Sequence, residues 1–135
     1  MRPTKEMRRG PETELITGWY DAFNRRDLDE MLERFSPAIV FRPLRFPGIE
    51  QRYDGHEGIR AWFEAMTGAG HVHRIEAESF ADADDDRILV SGSVTLAATG
   101  SLAPFSGIYL IEDGRIAEAT HYFTPAAVLD RLGMI

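Results

Sequence analysis

The hydrophobic period of the chain changes near residue 70, and this change constrains the fold more than any other feature. Before it, apolar residues recur every three to four positions, as on one face of a helix. After it they alternate, as in strands that bury one face. The predicted helices lie near residues 12–25, 27–35 and 56–67. The predicted strands lie at about 71–81, 87–99, 103–112 and 115–123. Short polar turns separate these strands, which favours an α+β domain with a mostly antiparallel sheet.

Three further segments complete the prediction. Residues 38–43 are rich in β-branched side chains and end at a proline, which favours a strand. Residues 43–53 contain two prolines and a glycine, and we expect an ordered lip over a cavity. Thr124-Pro125 is expected to open a last short helix. Residues 1–10 are expected to be a flexible tail that precedes a single domain at 11–135.

Composition limits the partners of the chain. Its 135 residues are 44% hydrophobic, enough for the core of one domain. Acidic residues outnumber basic ones, 22 against 15, and the net charge of −7 disfavours a nucleic-acid partner. The absence of cysteine excludes disulfides and thiolate nucleophiles. No apolar run is long enough to span a membrane, so we expect a soluble, cytoplasmic protein that uses no cofactor.

Three motifs carry a resemblance to a known superfamily. They are Ala22-Phe-Asn24 with Asp27-Leu28, Gly55-His-Glu-Gly-Ile59, and the ending Pro125-Ala-Ala-Val-Leu-Asp-Arg-Leu-Gly133. Together with the order of elements, they resemble the NTF2-like superfamily, and within it the SnoaL-like polyketide cyclase and ketosteroid isomerase branch. The resemblance implies a cystatin-like cone, in which three N-terminal helices pack on a curved sheet and a small molecule binds at the open end. It does not fix a reaction, because this scaffold hosts isomerases, cyclases, hydrolases and non-catalytic domains.

The same resemblance shows which catalytic groups the chain lacks. Steroid isomerases of this kind use a carboxylate base, together with a tyrosine and a protonated aspartic acid that hold an enolate oxygen. The corresponding positions here are Arg42, Trp19 and Ile108, and a supporting tyrosine corresponds to Phe63. The SnoaL-like pattern often has an aspartate where His121 stands, and a neutral imidazole keeps a proton acceptor at that position.

Alternation along two strands predicts a pocket that contains Arg42 and His121. If Arg42 faces inward, then Ile39 and Phe41 face away. We predict that Arg42 holds a carboxylate or a developing enolate, and that His121 takes or gives a proton. The predicted pocket-lining residues are Trp19, Phe23, Val40, Trp62, Phe63, Ile108, Ala119 and Phe123.

Less specific interpretations compete with this site. Arg42 could form an ion pair at the mouth of the cone, and His121 could be a core histidine bonded to a hydroxyl or a carbonyl. His71 and His73 have the spacing of two metal ligands on one strand face, but no motif supplies a third. We therefore predict no metal site.

Two functions from different classes follow. The first is a cofactor-free isomerase, cyclase or lyase that acts on a small apolar carbonyl compound by proton transfer. The second is a non-catalytic module for small-molecule binding or dimerisation. The predicted ligand is small and apolar, with a carbonyl or an acidic group. We also predict a homodimer through the outer face of the sheet, where alternation places Tyr109, Ile111, Thr120 and Tyr122.

Overall fold

The computed structural model describes residues 10–133, so residues 1–9 of the predicted tail lie outside the described residues. In chain order the elements are α1 (Pro11–Asn24), α2 (Leu28–Arg34), β1 (Phe35–Arg42), β2 (Tyr53–Asp54), α3 (Gly55–Ala69), β3 (Val72–Asp82), β4 (Ile88–Leu96), β5 (Leu102–Glu112), β6 (Arg115–Tyr122) and α4 (Ala126–Arg131). The predicted α+β architecture is confirmed, with three N-terminal helices on a curved sheet. The short α4 is a fourth helix near the end of the chain.

The helix α1 buries the apolar face that its spacing predicts. Trp19, Tyr20 and Phe23 are each at most 3% exposed, because residues three and four apart lie on one side of a helix. At the end of α1, the Asn24 side-chain amide donates to the Ile75 carbonyl and accepts from the Ile75 N–H, both at 2.9 Å. This pair of hydrogen bonds attaches α1 to β3, at the edge of the sheet.

The six strands form one sheet in the order β2-β1-β6-β5-β4-β3. All neighbours are antiparallel except β1 and β6, which are parallel. The strand β1 begins at Phe35 rather than at residue 38, because α2 ends at Arg34 and Phe35 already has an extended backbone. The two-residue β2 is too short to produce a periodic signal, and the sequence did not predict it.

The main core lies between the inner face of the sheet and α1, α2 and α3. On the outer face, Leu129 of α4 packs with Leu89 of β4 in a second cluster. The fully buried core members include Phe35, Ile59, Val90 and Ile116. Within residues 10–133, no helix is long and apolar enough to cross a membrane.

The segment 43–52, between β1 and β2, forms a lip over the core. Leu44 and Ile49 point into the protein and are 4% and 5% exposed. Phe46 stacks on the His71 ring with 4.6 Å between centroids, and His71 Nε2 lies 2.9 Å from the Pro47 carbonyl oxygen. In the described part of the chain, no group of three histidine or carboxylate side chains is placed to hold a metal ion.

Candidate functional site

A small cavity lies between α1, α3 and the inner face of the sheet. Its volume is about 20 Å³, room for about one water molecule. Its wall is mostly apolar and is formed by Trp19, Tyr20, Phe23, Leu44, Trp62, Met66, Val72, Ile75, Val94 and His121. A few polar groups in an otherwise apolar wall are typical of a small-molecule site.

Three buried side chains form one hydrogen-bonded chain beside the cavity, which we call the Tyr-Tyr-His chain. The Tyr20 and Tyr109 hydroxyls are bonded to each other, and the Tyr109 hydroxyl oxygen lies 2.7 Å from His121 Nε2. The three residues come from α1, β5 and β6. A hydroxyl both donates and accepts, and a neutral imidazole has one donor and one acceptor. The direction of these hydrogen bonds can therefore reverse, which leaves the Tyr20 hydroxyl with either a free donor or a free acceptor.

Burial keeps all three groups of the Tyr-Tyr-His chain uncharged at neutral pH. It lowers the pKa of His121 from 6.5 to about 3, because apolar surroundings disfavour the imidazolium ion. Burial also raises the pKa of Tyr20 and of Tyr109 above the usual 10, and for Tyr20 the hydrogen bond to Tyr109 offsets part of that rise. The cavity therefore offers neutral hydrogen-bonding groups rather than charges.

Aromatic rings fix the orientation of His121. Trp19 stacks on the imidazole with 5.0 Å between centroids and an angle of 24° between the planes. Phe41 and Phe105 meet it edge-on at 5.0 and 4.7 Å. Packing of this kind holds a side chain in one rotamer, so His121 Nε2 stays directed at the Tyr109 hydroxyl.

Gly107 makes room for the Tyr-Tyr-His chain. It pairs with His121 across β5 and β6, and the Tyr109 ring lies over it. A Cβ atom at position 107 would be 2.5 Å from the Tyr109 hydroxyl oxygen, well inside van der Waals contact. A glycine in a strand often marks such a close approach, and here it lets Tyr109 reach His121.

The prediction that Arg42 and Val40 face the cavity is wrong. Phe41 is fully buried, whereas Arg42 is exposed. In the parallel pairing of β1 and β6, Arg42 is opposite Thr120, and paired residues share a face of a sheet. Because Thr120 and His121 are neighbours in a strand, they point to opposite faces. Arg42 and His121 therefore do not converge.

The reason for this error is the composition of β1. Ile39, Val40 and Phe41 are all apolar, so alternation defines two faces but does not identify the inner one. The resemblance to steroid isomerases placed Arg42 inside. Burial of an unpaired guanidinium is far more costly than burial of a phenyl ring, and the strand accordingly turns Ile39 and Phe41 inward, each 0% exposed.

The structure brings Trp19, Phe23, Trp62 and His121 to the cavity wall. Ala119 is fully buried on the same strand face as His121 but does not reach the wall.

Three other predicted lining residues lie elsewhere. Ile108 is on the outer face, packed against the Leu89 and Leu129 cluster, because it is opposite Thr120 in the sheet. Phe63 and Phe123 are half-buried and pack on the core outside the cavity wall, Phe123 with its ring 5.5 Å from that of Phe46. The prediction that these three residues line the cavity is wrong.

Tyr20 and Tyr109 are not among the site residues predicted from the sequence. The prediction that Tyr109 lies on the outer face is wrong, because Tyr109 is opposite Ala119 and is 0% exposed. One signal could have found it: Gly107 stands two positions earlier in the strand, on the same face. Tyr20 adjoins Trp19 on the buried side of α1, where its hydroxyl needs a partner.

Comparisons with known proteins agree with this fold. Residues 16–119 match the SnoaL-like domain family. No curated protein sequence matches the chain. An NTF2-like protein of unknown function from Burkholderia pseudomallei is similar in structure, with a TM-score of 0.71 and 22% identity over 90% of this chain and 97% of that one.

Two further solved structures are similar. A proposed polyketide cyclase from Sinorhizobium meliloti has a TM-score of 0.69 and 24% identity, covering 84% of this chain and 100% of that one. TerC, co-crystallised with polyporic acid, has a TM-score of 0.70 and 21% identity, covering 90% of this chain and 97% of that one. At these identities the likeness concerns the fold.

Proposed function

The chain belongs to the SnoaL-like family, and we propose that its inner cavity binds a small, mostly apolar and uncharged compound through an oxygen atom held by the Tyr-Tyr-His chain. The observation that carries this proposal is the contact of Tyr20 and His121 with an otherwise apolar cavity. The structural similarity to TerC, which was co-crystallised with polyporic acid, also supports a small-molecule ligand.

The expected charge of the ligand follows from the wall. The Tyr-Tyr-His chain is neutral at pH 7, and the lining residues include no arginine, lysine or carboxylate in the described part of the chain. A carboxylate in this cavity would lose its hydration without gaining a counter-charge, which is unfavourable. We therefore expect an uncharged ligand with a carbonyl or hydroxyl oxygen, rather than an acidic one.

Entry of a ligand requires movement of the lip. The cavity has room for only about one water molecule, and Leu44 is the lip residue in its wall. Displacement of Leu44 opens the cavity toward the segment 43–52. We propose that this segment moves when the ligand binds.

Catalysis by proton transfer is a second candidate, in the form of a cofactor-free isomerase, cyclase or lyase. The Tyr-Tyr-His chain favours it, because a Tyr20 hydroxyl backed by Tyr109 could stabilise negative charge that develops on a carbonyl oxygen. With a pKa of about 3, His121 is neutral but weakly basic. Its expected role is therefore to orient the hydroxyls, and proton abstraction from carbon would need another base. The alternative to catalysis is that the protein binds a small molecule without transforming it.

A set of three matched probes tests the binding proposal. Naphthalene, 2-naphthol and 2-naphthoate share one ring system and differ in the polar group. By isothermal titration calorimetry at pH 7, we expect 2-naphthol to bind more tightly than the other two. Tyr20→Phe should weaken 2-naphthol binding about fivefold, the effect of one lost hydrogen bond, and should leave naphthalene binding unchanged.

Tyr122→Phe is the matched control, because Tyr122 carries the same hydroxyl on the outer face. It should leave the affinity for all three probes unchanged. Tighter binding of 2-naphthoate than of 2-naphthol, or equal effects of the two tyrosine variants, would contradict the proposal.

The homodimer and the cytoplasmic location stay predictions. The dimer contact needs revision, because Tyr109 is inside the protein and α4 covers part of the outer face. Light scattering at micromolar concentration measures the oligomeric state directly.

A further inference from the structure

Two indole N–H groups of the cavity-lining residues have no hydrogen-bond partner among the residues that the structure describes. Trp19 and Trp62 are 1% and 5% exposed, and Nε1 of each is buried and unpaired within residues 10–133. Both residues line the cavity. Native structures rarely retain a buried donor without a partner, so each such donor calls for an explanation.

The neighbours of these indoles offer little compensation. The Phe41 ring meets Trp19 edge-on at 5.5 Å and Trp62 edge-on at 4.9 Å. An aromatic face is at best a weak acceptor for an N–H group. One other buried side-chain nitrogen is unpaired in the described range, Arg34 Nε. Arg34 lies over Gly18, outside the cavity wall, and its Nη2 donates to Glu30.

We infer that the indole N–H groups of Trp19 and Trp62 bind the ligand, and that the ligand carries at least two acceptor oxygens, as a quinone or a diketone does. This inference rests on the proposed function of the cavity. An indole nitrogen only donates, so its partner on the ligand must be an acceptor. One oxygen is taken by the Tyr-Tyr-His chain together with the Trp19 indole, which stacks on His121, because a carbonyl oxygen can accept from two donors. The Trp62 indole, which Phe41 separates from the His121 ring, takes the other.

Carbonyl oxygens fit this site better than charged oxygens. The donors are neutral, and the wall that surrounds them is apolar. A carbonyl oxygen has two lone pairs and a small desolvation cost compared with a carboxylate. Two carbonyl groups on a flat, apolar ring would satisfy donors at both places in the wall, once displacement of the lip has made room for the ring.

The test uses the indole signals themselves as the readout. The chain has two tryptophans, so its ¹H–¹⁵N spectrum contains two indole N–H peaks, which Trp19→Phe and Trp62→Phe assign. The probes are 1,4-naphthoquinone, with two carbonyl oxygens, and 2-naphthol, with one hydroxyl. Because the chain has no cysteine, the quinone cannot add to a thiol.

We expect 1,4-naphthoquinone to move both indole peaks downfield, as hydrogen bonding does, and 2-naphthol to leave the Trp62 peak in place. Trp62→Phe should weaken quinone binding about fivefold and 2-naphthol binding less than twofold. If the quinone binds without moving the Trp62 peak, or if Trp62→Phe weakens both probes equally, the inference is overturned while the role of Tyr20 stands. If neither probe binds, the proposed function itself fails.

Discussion

The two sets of polar groups in the core differ in how they are paired. In the Tyr-Tyr-His chain every member has a hydrogen-bond partner inside the protein. The indole nitrogens of Trp19 and Trp62 have none within residues 10–133, although Trp19 stacks directly on His121 and Trp62 is one ring away, across Phe41. A paired buried group stabilises the fold slightly, whereas an unpaired donor costs about 1–3 kcal/mol. The first set therefore stabilises the free protein whether or not a ligand is bound, whereas in our proposal the second set gains its partners only from the ligand.

Removal of the Phe41 ring, which lies between His121 and Trp62, should have the largest effect on stability. Phe41 is fully buried and contacts Trp19, Trp62 and His121. We expect Phe41→Ala to lower the free energy of unfolding by about 3–5 kcal/mol, through lost contacts and the cavity left behind. Urea unfolding measures it. Arg42→Ala, the next residue but exposed on the other face, is the control and should change stability by less than about 0.5 kcal/mol.

Acid should destabilise the folded protein through His121 of the Tyr-Tyr-His chain. The pKa of His121 is about 3 in the folded state and near 6.5 when unfolded. Below pH 6.5 the unfolded chain binds the proton more readily, so stability falls as the pH falls, and this penalty stops growing near pH 3. From pH 7 to pH 5 the loss from this group is about 2 kcal/mol.

The control for this pH dependence is His121→Gln, which has no titratable group. Its urea midpoint should fall less between pH 7 and pH 5 than that of the parent protein. Parallel curves for the two proteins would show that His121 does not carry the effect.

Loss of the central hydroxyl should have a moderate effect. Tyr109→Phe leaves the Tyr20 hydroxyl and His121 Nε2 without the partner that joins them. We expect a loss of about 2 kcal/mol in the free energy of unfolding, the cost of buried polar groups left unpaired. Thermal or urea unfolding at pH 7 checks this. An unchanged midpoint would mean that the Tyr-Tyr-His chain contributes nothing to stability.

The smallest effect on stability is expected for a change in the unpaired indoles. Trp62→Phe removes more atoms than Tyr109→Phe does, but it also removes an unsatisfied donor. The lost contacts and the relieved penalty oppose each other, so we expect a change within about 1 kcal/mol of zero in the free protein. A larger loss for Trp62→Phe than for Tyr109→Phe would reverse the comparison between the two sets.

The sequence predicted the fold better than the site, and the strands show why. The change of period predicts the helices and the four-stranded meander β3–β6, because each pattern is local. Which face of β1 points inward depends on its register with β6, which also shifts between Phe35 and Val40. An unbroken apolar run carries no information about that register. His121 was recognised because it lies in a strand with an alternating pattern. The role of Tyr109 depends on the packing of its ring over Gly107, which alternation does not reveal.

The parallel pairing of β1 with β6 has a consequence for the order of folding. The antiparallel strands β3 to β6 are joined by short turns and can pair soon after they form, whereas β1 must find a partner from the far end of the chain. Such distant contacts form slowly, because a long loop must close first. We therefore expect Phe41 to reach His121 late, so that in a refolding protein β3 to β6 pair before the aromatic rings around His121 are complete.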